Sequence, residues 1–260
     1  MKLEILSRAA KGGSSKSPLL FVHGAYVGAW CWGEHFLDWF ATRGHAAHAV
    51  SLRGHGASPG RKELNDFGLA DYAEDVAAAA AGLPQPAVLI GHSMGAMVVQ
   101  KYLEKNKAAA AVLACPVPAY GLMPSSFRLA WTRPALFAGL NAVANGGGAA
   151  PEVLAETLFA GNVEPARLAR CHERMQGESR RALFEMAGWG LPLLNGSRPP
   201  MLVLGAEQDS LIAHGEAKGT ARLLGADYRL LPGLGHAVML DELWESAAEA
   251  IAAWLGAKGL

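Results

Sequence analysis

Residues 91–95 read Gly-His-Ser-Met-Gly, and this Gly-x-Ser-x-Gly pentapeptide stands between an apolar run and an amphipathic one. Upstream, Pro86-Ala-Val-Leu-Ile90 has the length and composition of a parallel strand buried on both faces. Downstream, within Met94 to Lys105, the residues Met97, Val98, Tyr102 and Leu103 fall at helical spacing. Ser93 then sits at a sharp strand-to-helix turn, where Gly91 and Gly95 leave room for the chain to double back. A serine held there presents its hydroxyl above a sheet and beside a helix N-terminus. That is a setting for acyl chemistry.

The rest of the chain decides whether such a sheet exists. Strand-like runs recur at Leu3–Ser7, Pro18–His23, His45–Leu52, Ala87–Gly91, Ala109–Cys115, Met201–Gly205 and Tyr228–Leu231. Helical patterns lie between them at Trp32–Arg43, Leu69–Gly82, Met94–Lys105, Gly215–Leu224 and Asp241–Leu255. This alternation predicts an α/β fold, a mostly parallel doubly wound sheet with helices on both faces. The link between the first two strands, Lys11-Gly-Gly-Ser-Ser-Lys16, is too short for a crossover helix, so the first strand or two are expected to be antiparallel. At 260 residues, 51% of them hydrophobic, the chain suits one large domain.

The alternation lapses after Cys115. Helical patterns at Ser126–Val143, Pro151–Phe159, Pro165–Met175 and Glu178–Gly188 follow one another without a strand. The run Asn145-Gly-Gly-Gly148 breaks them, and Leu191 to Pro200 closes the stretch. Residues 116–199 are therefore expected to form an inserted helical cap, with 1–115 and 200–260 as the core. The glycine run lacks the preceding strand and Lys-Ser/Thr of a phosphate loop and is read as a linker.

Charge and cysteine content narrow the partners. Lys plus Arg and Asp plus Glu are each 23, so no electrostatic footprint for nucleic acid or an anionic membrane is expected. Cys31, Cys115 and Cys171 are odd in number and widely spaced, which suggests free thiols in a reducing compartment. The N-terminus shows no secretory apolar region, and no run reaches the ~18 apolar residues of a membrane span. The expectation is a soluble cytoplasmic protein with no metal and no cofactor. The oligomeric state has no signature in the sequence.

A serine hydroxyl needs a base within hydrogen-bond reach, and the base needs a carboxylate to fix its tautomer. Asp209 follows the Met201–Gly205 strand, and His236 sits in the glycine-rich loop after the last strand. The order Ser, acid, His is the one used by a strand–turn–helix nucleophile. All three follow the carboxyl ends of strands, the edge where open parallel sheets gather ligand sites. Glu207 is a substitute acid, and Asp227, placed before its strand, is a weaker rival. The oxyanion donors expected are the backbone N–H groups of Met94 and of Ala25, in the loop after His23-Gly24.

These landmarks resemble the α/β-hydrolase superfamily along nearly the whole chain: His23-Gly24, the turn Ser51-Leu-Arg-Gly-His-Gly-Ala-Ser58, the elbow, Gly205-Ala-Glu-Gln-Asp209 and Gly235-His236. The stretch His23 to Trp32 is further similar to the branch of small esterases and the plant methylesterase and hydroxynitrile-lyase group. Ser51 stands where relatives often carry Asp, at a turn outside the proposed triad. The resemblance implies a serine hydrolase acting on a small-molecule carboxylic ester. Amide or carbamate cleavage and acyl transfer by the same triad remain alternatives, as do a lyase or a ligand-binding role. The lyases place Thr after His-Gly and Lys after the catalytic His, where this chain has Ala25-Tyr26 and Ala237. Relatives with an Asp nucleophile are disfavoured by Ser93 itself.

Of the remaining histidines, His92 is expected to support the elbow from beneath, His23 to shape the oxyanion loop and His55 to lie in a turn near the pocket. The others show no ligand spacing. Aromatics of the cap serve mostly as its packing face, and Tyr26, Trp131, Phe137 and Trp189 are the expected substrate contacts. The balanced cap charge points to uncharged, moderately apolar substrates.

Overall fold

A computed structural model describes residues 1–13, 16–144, 151–161, 163–193 and 198–260. Seven strands form one sheet in the order β1-β3-β2-β4-β5-β6-β7. They are β1 (Ile5–Arg8), β2 (Leu19–Val22), β3 (Ala47–Val50), β4 (Val88–His92), β5 (Ala110–Ala114), β6 (Met201–Ala206) and β7 (Asp227–Leu231). Every pairing from β3 to β7 is parallel. Only β1 is antiparallel, and it pairs with β3, its short link passing over to β2.

All residues of β2, β4, β5 and β6 are buried, as strands covered on both faces must be. Alternate side chains serve opposite cores: Leu19, Phe21, Val88 and Ile90 pack on one face, Leu20, Val22 and Leu89 on the other. Each fully buried aliphatic chain stabilises by roughly 1.5–3 kcal/mol, more than the ~1 kcal/mol span of strand propensity. Burial, not propensity, therefore sets the register of strands this short.

Helices α1 (Trp30–Gly33), α2 (Phe36–Thr42) and α11 (Trp244–Ala257) cover the first face; α3 (Leu69–Ala81), α4 (Met94–Leu103) and α10 (His214–Leu224) cover the second. The single helix expected over Trp32–Arg43 is two. His35 leaves helical geometry (φ −140°) and its ring stacks on Trp244 at 4.5 Å. Helix α11 starts three residues later than expected because the Asp241 carboxylate instead accepts the N–H groups of Ala160, Gly235 and Glu242.

Between β5 and β6 the chain forms α5 (Met123–Thr132), α6 (Pro134–Ala144), α7 (Pro151–Leu158), α8 (Pro165–Arg174), α9 (Arg180–Phe184) and a wide turn over Glu185–Trp189. The helix expected across Ser126–Val143 breaks at Arg133 (φ −142°, ψ 65°), since Pro134 disfavours helical geometry in the residue before it. The expected break at Asn145 to Gly148 lies outside the described residues, as does part of the Leu191–Pro200 closure. Among the described residues no helix is long and apolar enough to cross a membrane.

Candidate active site

Ser93 occupies the turn between β4 and α4 with φ 51° and ψ −114°, a conformation costly for a residue with a β-carbon. Two close approaches make the turn feasible. A β-carbon at Gly91 would strike the carbonyl of Gly95, and one at Gly95 would strike the carbonyls of Val22 and His23. The Ser93 N–H donates to the Ala114 carbonyl at 3.0 Å, and its carbonyl accepts from Ala96 (3.1 Å) and Val117 (3.3 Å). The strained serine is thereby held from both neighbouring segments.

Ser93 Oγ lies 3.0 Å from His236 Nε2, and His236 Nδ1 lies 2.8 Å from Asp209 Oδ2. Asp209 follows β6; its Oδ1 accepts the N–H groups of Leu211 (2.8 Å) and Ile212 (2.9 Å). A carboxylate so engaged is an acceptor, which places the imidazole proton on Nδ1 and leaves Nε2 free to accept from the serine hydroxyl. His236 and Asp209 are buried, while Ser93 is half-buried at the floor of a cavity. Glu207 is exposed and turns instead to the Gly233 N–H (3.0 Å), and Asp227 bonds Trp254 at the surface.

The loop after β2 closes over the serine from the other side. A β-carbon at Gly24 would stand 2.7 Å from His92 Nδ1 and 3.2 Å from Ser93 Cβ. Ala25 and Tyr26 therefore come next to Ser93, and both line the cavity. Met94 is the first residue of α4, where backbone N–H groups have no partner within the helix. His23 shapes this loop. Its Nε2 accepts from the Leu52 N–H (3.1 Å), so its Nδ1 donates to the Gly24 carbonyl (2.7 Å). Burial, reinforced by His55, pushes the His23 pKa from 6.5 down to about 3.

His92 lies on the face of β4 shared with Val88 and Ile90, its ring 6.4 Å from Trp32. Burial, with His236 next, holds its pKa well below the ordinary value. Ser51 shapes its turn with one hydroxyl: Oγ donates to Glu4 (2.5 Å) and accepts from the Ala29 N–H (2.9 Å).

The cavity above Ser93 has a volume of about 350 Å³, and no Asp, Glu, Lys or Arg side chain is among its described lining residues. Its roof comes from the β5–β6 segment, through Leu122, Leu129, Leu140, Leu154, Leu183 and Met186. Of the four expected substrate contacts, Tyr26 and Phe137 line it. Trp131 and Trp189 do not, and both expectations are corrected. Trp131 is 89% exposed, because it stands about 200° around α5 from Leu129, which faces the cavity. Trp189 is 65% exposed and stacks on Phe184 at 4.5 Å. The aliphatic lining went unrecognised in the sequence, although Leu122, Ser125, Ser126 and Leu129 fall at helical spacing and all face inward.

Cys115, at φ 44°, brings its thiol within 4.8 Å of ligand-type atoms of Asp209 and His236. Burial and then Asp209 push the thiol pKa well up, so it is protonated, while Asp209 and His236 are bonded to each other. The donor set suits acid–base chemistry better than a cation. Cys31, Cys115 and Cys171 are all buried and free.

A doubly wound sheet carrying a strained serine, a histidine and an acid on its carboxyl edge defines a class of proteins. The chain belongs to the alpha/beta hydrolase family, whose model matches residues 19–254. It is 37% identical over 115 residues to Esterase PIR7B of Oryza sativa subsp. japonica, a match covering 42% of each chain. It is also 37% identical over 82 residues to Norfluorocurarine synthase 2 of Strychnos sp, covering 31% of this chain and 30% of that one. These matches thus span less than half of each relative. Among solved structures, the bromoperoxidase of Bacillus anthracis superimposes with a TM-score of 0.77 at 18% identity, over 98% of this chain and 96% of that one. A thermophilic esterase of Thermogutta terrifontis gives 0.72 at 22%, over 97% and 93%. Both likenesses speak for the fold.

Proposed function

We propose that this chain is a serine hydrolase that cleaves carboxylic esters of uncharged, moderately apolar small molecules. His236 Nε2 takes the Ser93 proton as Oγ attacks the carbonyl carbon. Asp209 keeps the Nδ1–H tautomer and stabilises the imidazolium that forms. The N–H groups of Ala25 and Met94 receive the developing oxyanion, a contribution of ~3 kcal/mol for each donor. His236 then protonates the leaving alcohol, and water, activated by the same base, releases the acid from Ser93. Residues 116–199 act as a cap that selects the substrate.

The observation that carries this reading is the Ser93–His236–Asp209 chain of hydrogen bonds, at 3.0 and 2.8 Å, beneath a cavity with no charged side chain among its described lining residues. The esterase name of a relative 37% identical over the matched stretch agrees with it. Burying an unpaired charge in such a cavity costs several kcal/mol, which favours neutral substrates. The test is fluorophosphonate labelling together with turnover of neutral aryl esters. Wild type should label at Ser93, and Ser93→Ala should lose both labelling and several orders of magnitude in kcat. Near-normal turnover by Ser93→Ala would overturn the mechanism.

A further inference from the structure

We propose that Glu178, on the segment between β5 and β6, is a positioning residue that holds the oxyanion loop in its working conformation. The inference rests on the reading above, in which the Ala25 N–H is an oxyanion donor. Tyr26, the next residue, adopts φ 67°, a left-handed conformation that a residue with a β-carbon keeps only when its surroundings impose it. Both ends of Tyr26 are gripped by one short stretch of the cap. Its N–H donates to Glu178 Oε2 at 3.3 Å, and its carbonyl accepts the Gln176 N–H at 2.9 Å. The Tyr26 N–H belongs to the same peptide plane as the Ala25 carbonyl, so fixing it limits rotation about Ala25 and with it the aim of the Ala25 N–H.

Glu178 is itself immobilised before it reaches the loop. Its side chain has no exposure. Oε1 accepts from the Tyr72 hydroxyl (3.0 Å) and the Ser179 N–H (2.7 Å), and Oε2 also accepts from His55 Nε2 (3.0 Å). His55 is fixed in turn through Nδ1 to the Arg53 carbonyl (3.1 Å). Each ring nitrogen of His55 is thus tied to a neighbour, and the imidazole is held at both edges. Glu178 does not line the cavity, so it acts on the loop and not on the substrate.

The alternative is that Glu178 merely pins the cap to the core. Glu178→Gln separates the two roles. A primary amide offers acceptors at one terminus only, whereas donors surround both carboxylate oxygens. With the amide nitrogen at the Oε2 position, the acceptor for the Tyr26 N–H is lost, while His55 Nε2 meets a donor and its bond reverses direction. In the full-length chain, kcat for a neutral aryl ester should fall about tenfold or more while KM stays within about twofold. Affinity for a trifluoromethyl ketone, which binds as a tetrahedral oxyanion adduct, should weaken by the same factor. Fluorophosphonate labelling should still reach one serine per chain. Glu178→Asp, which withdraws the carboxylate by one methylene, should give a smaller loss of the same kind. It also keeps the test open should the Gln variant fail to fold.

Ser179→Ala is the control, because its hydroxyl caps α9 and bonds Phe67 without touching Tyr26. It loosens the segment, and kcat per labelled serine should stay within about twofold of wild type. Unchanged kcat and ketone affinity in foldable Glu178 variants, with Ser93→Ala inactive, would overturn the positioning role and leave the hydrolase reading standing. Turnover by Ser93→Ala would instead remove the reading on which the role depends.

Discussion

His92 Nε2 donates to the backbone carbonyl of His236 at 2.9 Å, so the residue before Ser93 buttresses the backbone of His236. The carbonyl has a second donor, the Val238 N–H at 3.0 Å, and is not orphaned when His92 is lost. His92→Ala should therefore cost only about 1 kcal/mol of stability from the hydrogen bond, with a further loss from the emptied volume. Its kinetic effect should be larger in proportion, about tenfold in kcat, because the ring 4.8 Å from His236 also limits tilting of the base. His92→Gln keeps an amide N–H near the position of Nε2 and should recover most of the rate. Urea melts and steady-state kinetics on the two variants measure both effects.

The same histidine, with His23, sets how stability responds to acid. His23 stays neutral in the folded chain until about pH 3 but protonates near 6.5 once unfolded, and His92 is shifted in the same direction. Below pH 6.5 the unfolded state thus binds protons that the folded state refuses. The stability present above 6.5 declines as the pH falls toward the folded values, at about 1.4 kcal/mol per pH unit for each group. Denaturant titrations between about pH 7 and about pH 5 should show this slope, and His92→Gln should flatten it by about one proton. An unaltered slope would mean that His92 is not held neutral.

Much of this architecture is legible in the sequence, for physical reasons. Strands buried on both faces, such as Val88–His92, announce themselves by composition, and the elbow motif, the strand ends and chain order together point to Ser93, Asp209 and His236, which meet at one edge. Facing relationships are harder. Trp131 attracts notice as an aromatic, yet the phase of α5 turns Leu129 inward and Trp131 out. Glu178 and Asp241 resemble solvated charges in the sequence. Their burial depends on donors from distant segments, Tyr26, His55 and Tyr72 for one and Ala160 for the other, which Gly235 of the preceding loop joins. Local pattern contains no trace of such pairings.

Two acids compete for the triad on paper, and the geometry separates them. Asp209 reaches His236 Nδ1, whereas Glu207 caps the Gly233 N–H at the surface. Asp209→Asn keeps the shape but sets an amide against Nδ1–H, favouring the wrong tautomer, and kcat should fall about ten-thousand-fold. Glu207→Gln retains an acceptor for Gly233 and should leave kcat within about twofold. Activity lost through Glu207 and kept through Asp209 would reverse the assignment.

Leu129 and Trp131, two residues apart on α5, offer a test of which surface meets the substrate. Leu129 is buried at the cavity wall, while Trp131 is 89% exposed on the opposite side of the helix. If an apolar acyl group packs on Leu129, replacing it by the similarly sized Asn removes roughly 1.5–3 kcal/mol of apolar contact. That corresponds to a loss of about tenfold to a hundredfold in kcat/KM for long-chain esters, and little for acetate esters, whose acyl group does not reach the wall. Trp131→Ala should leave kcat/KM within about twofold along the whole ester series, since its ring contributes no lining surface. A chain-length profile measured on wild type and both variants checks this directly. A larger effect at Trp131 than at Leu129 would place the acyl group outside the cavity and against the exposed face of the helix.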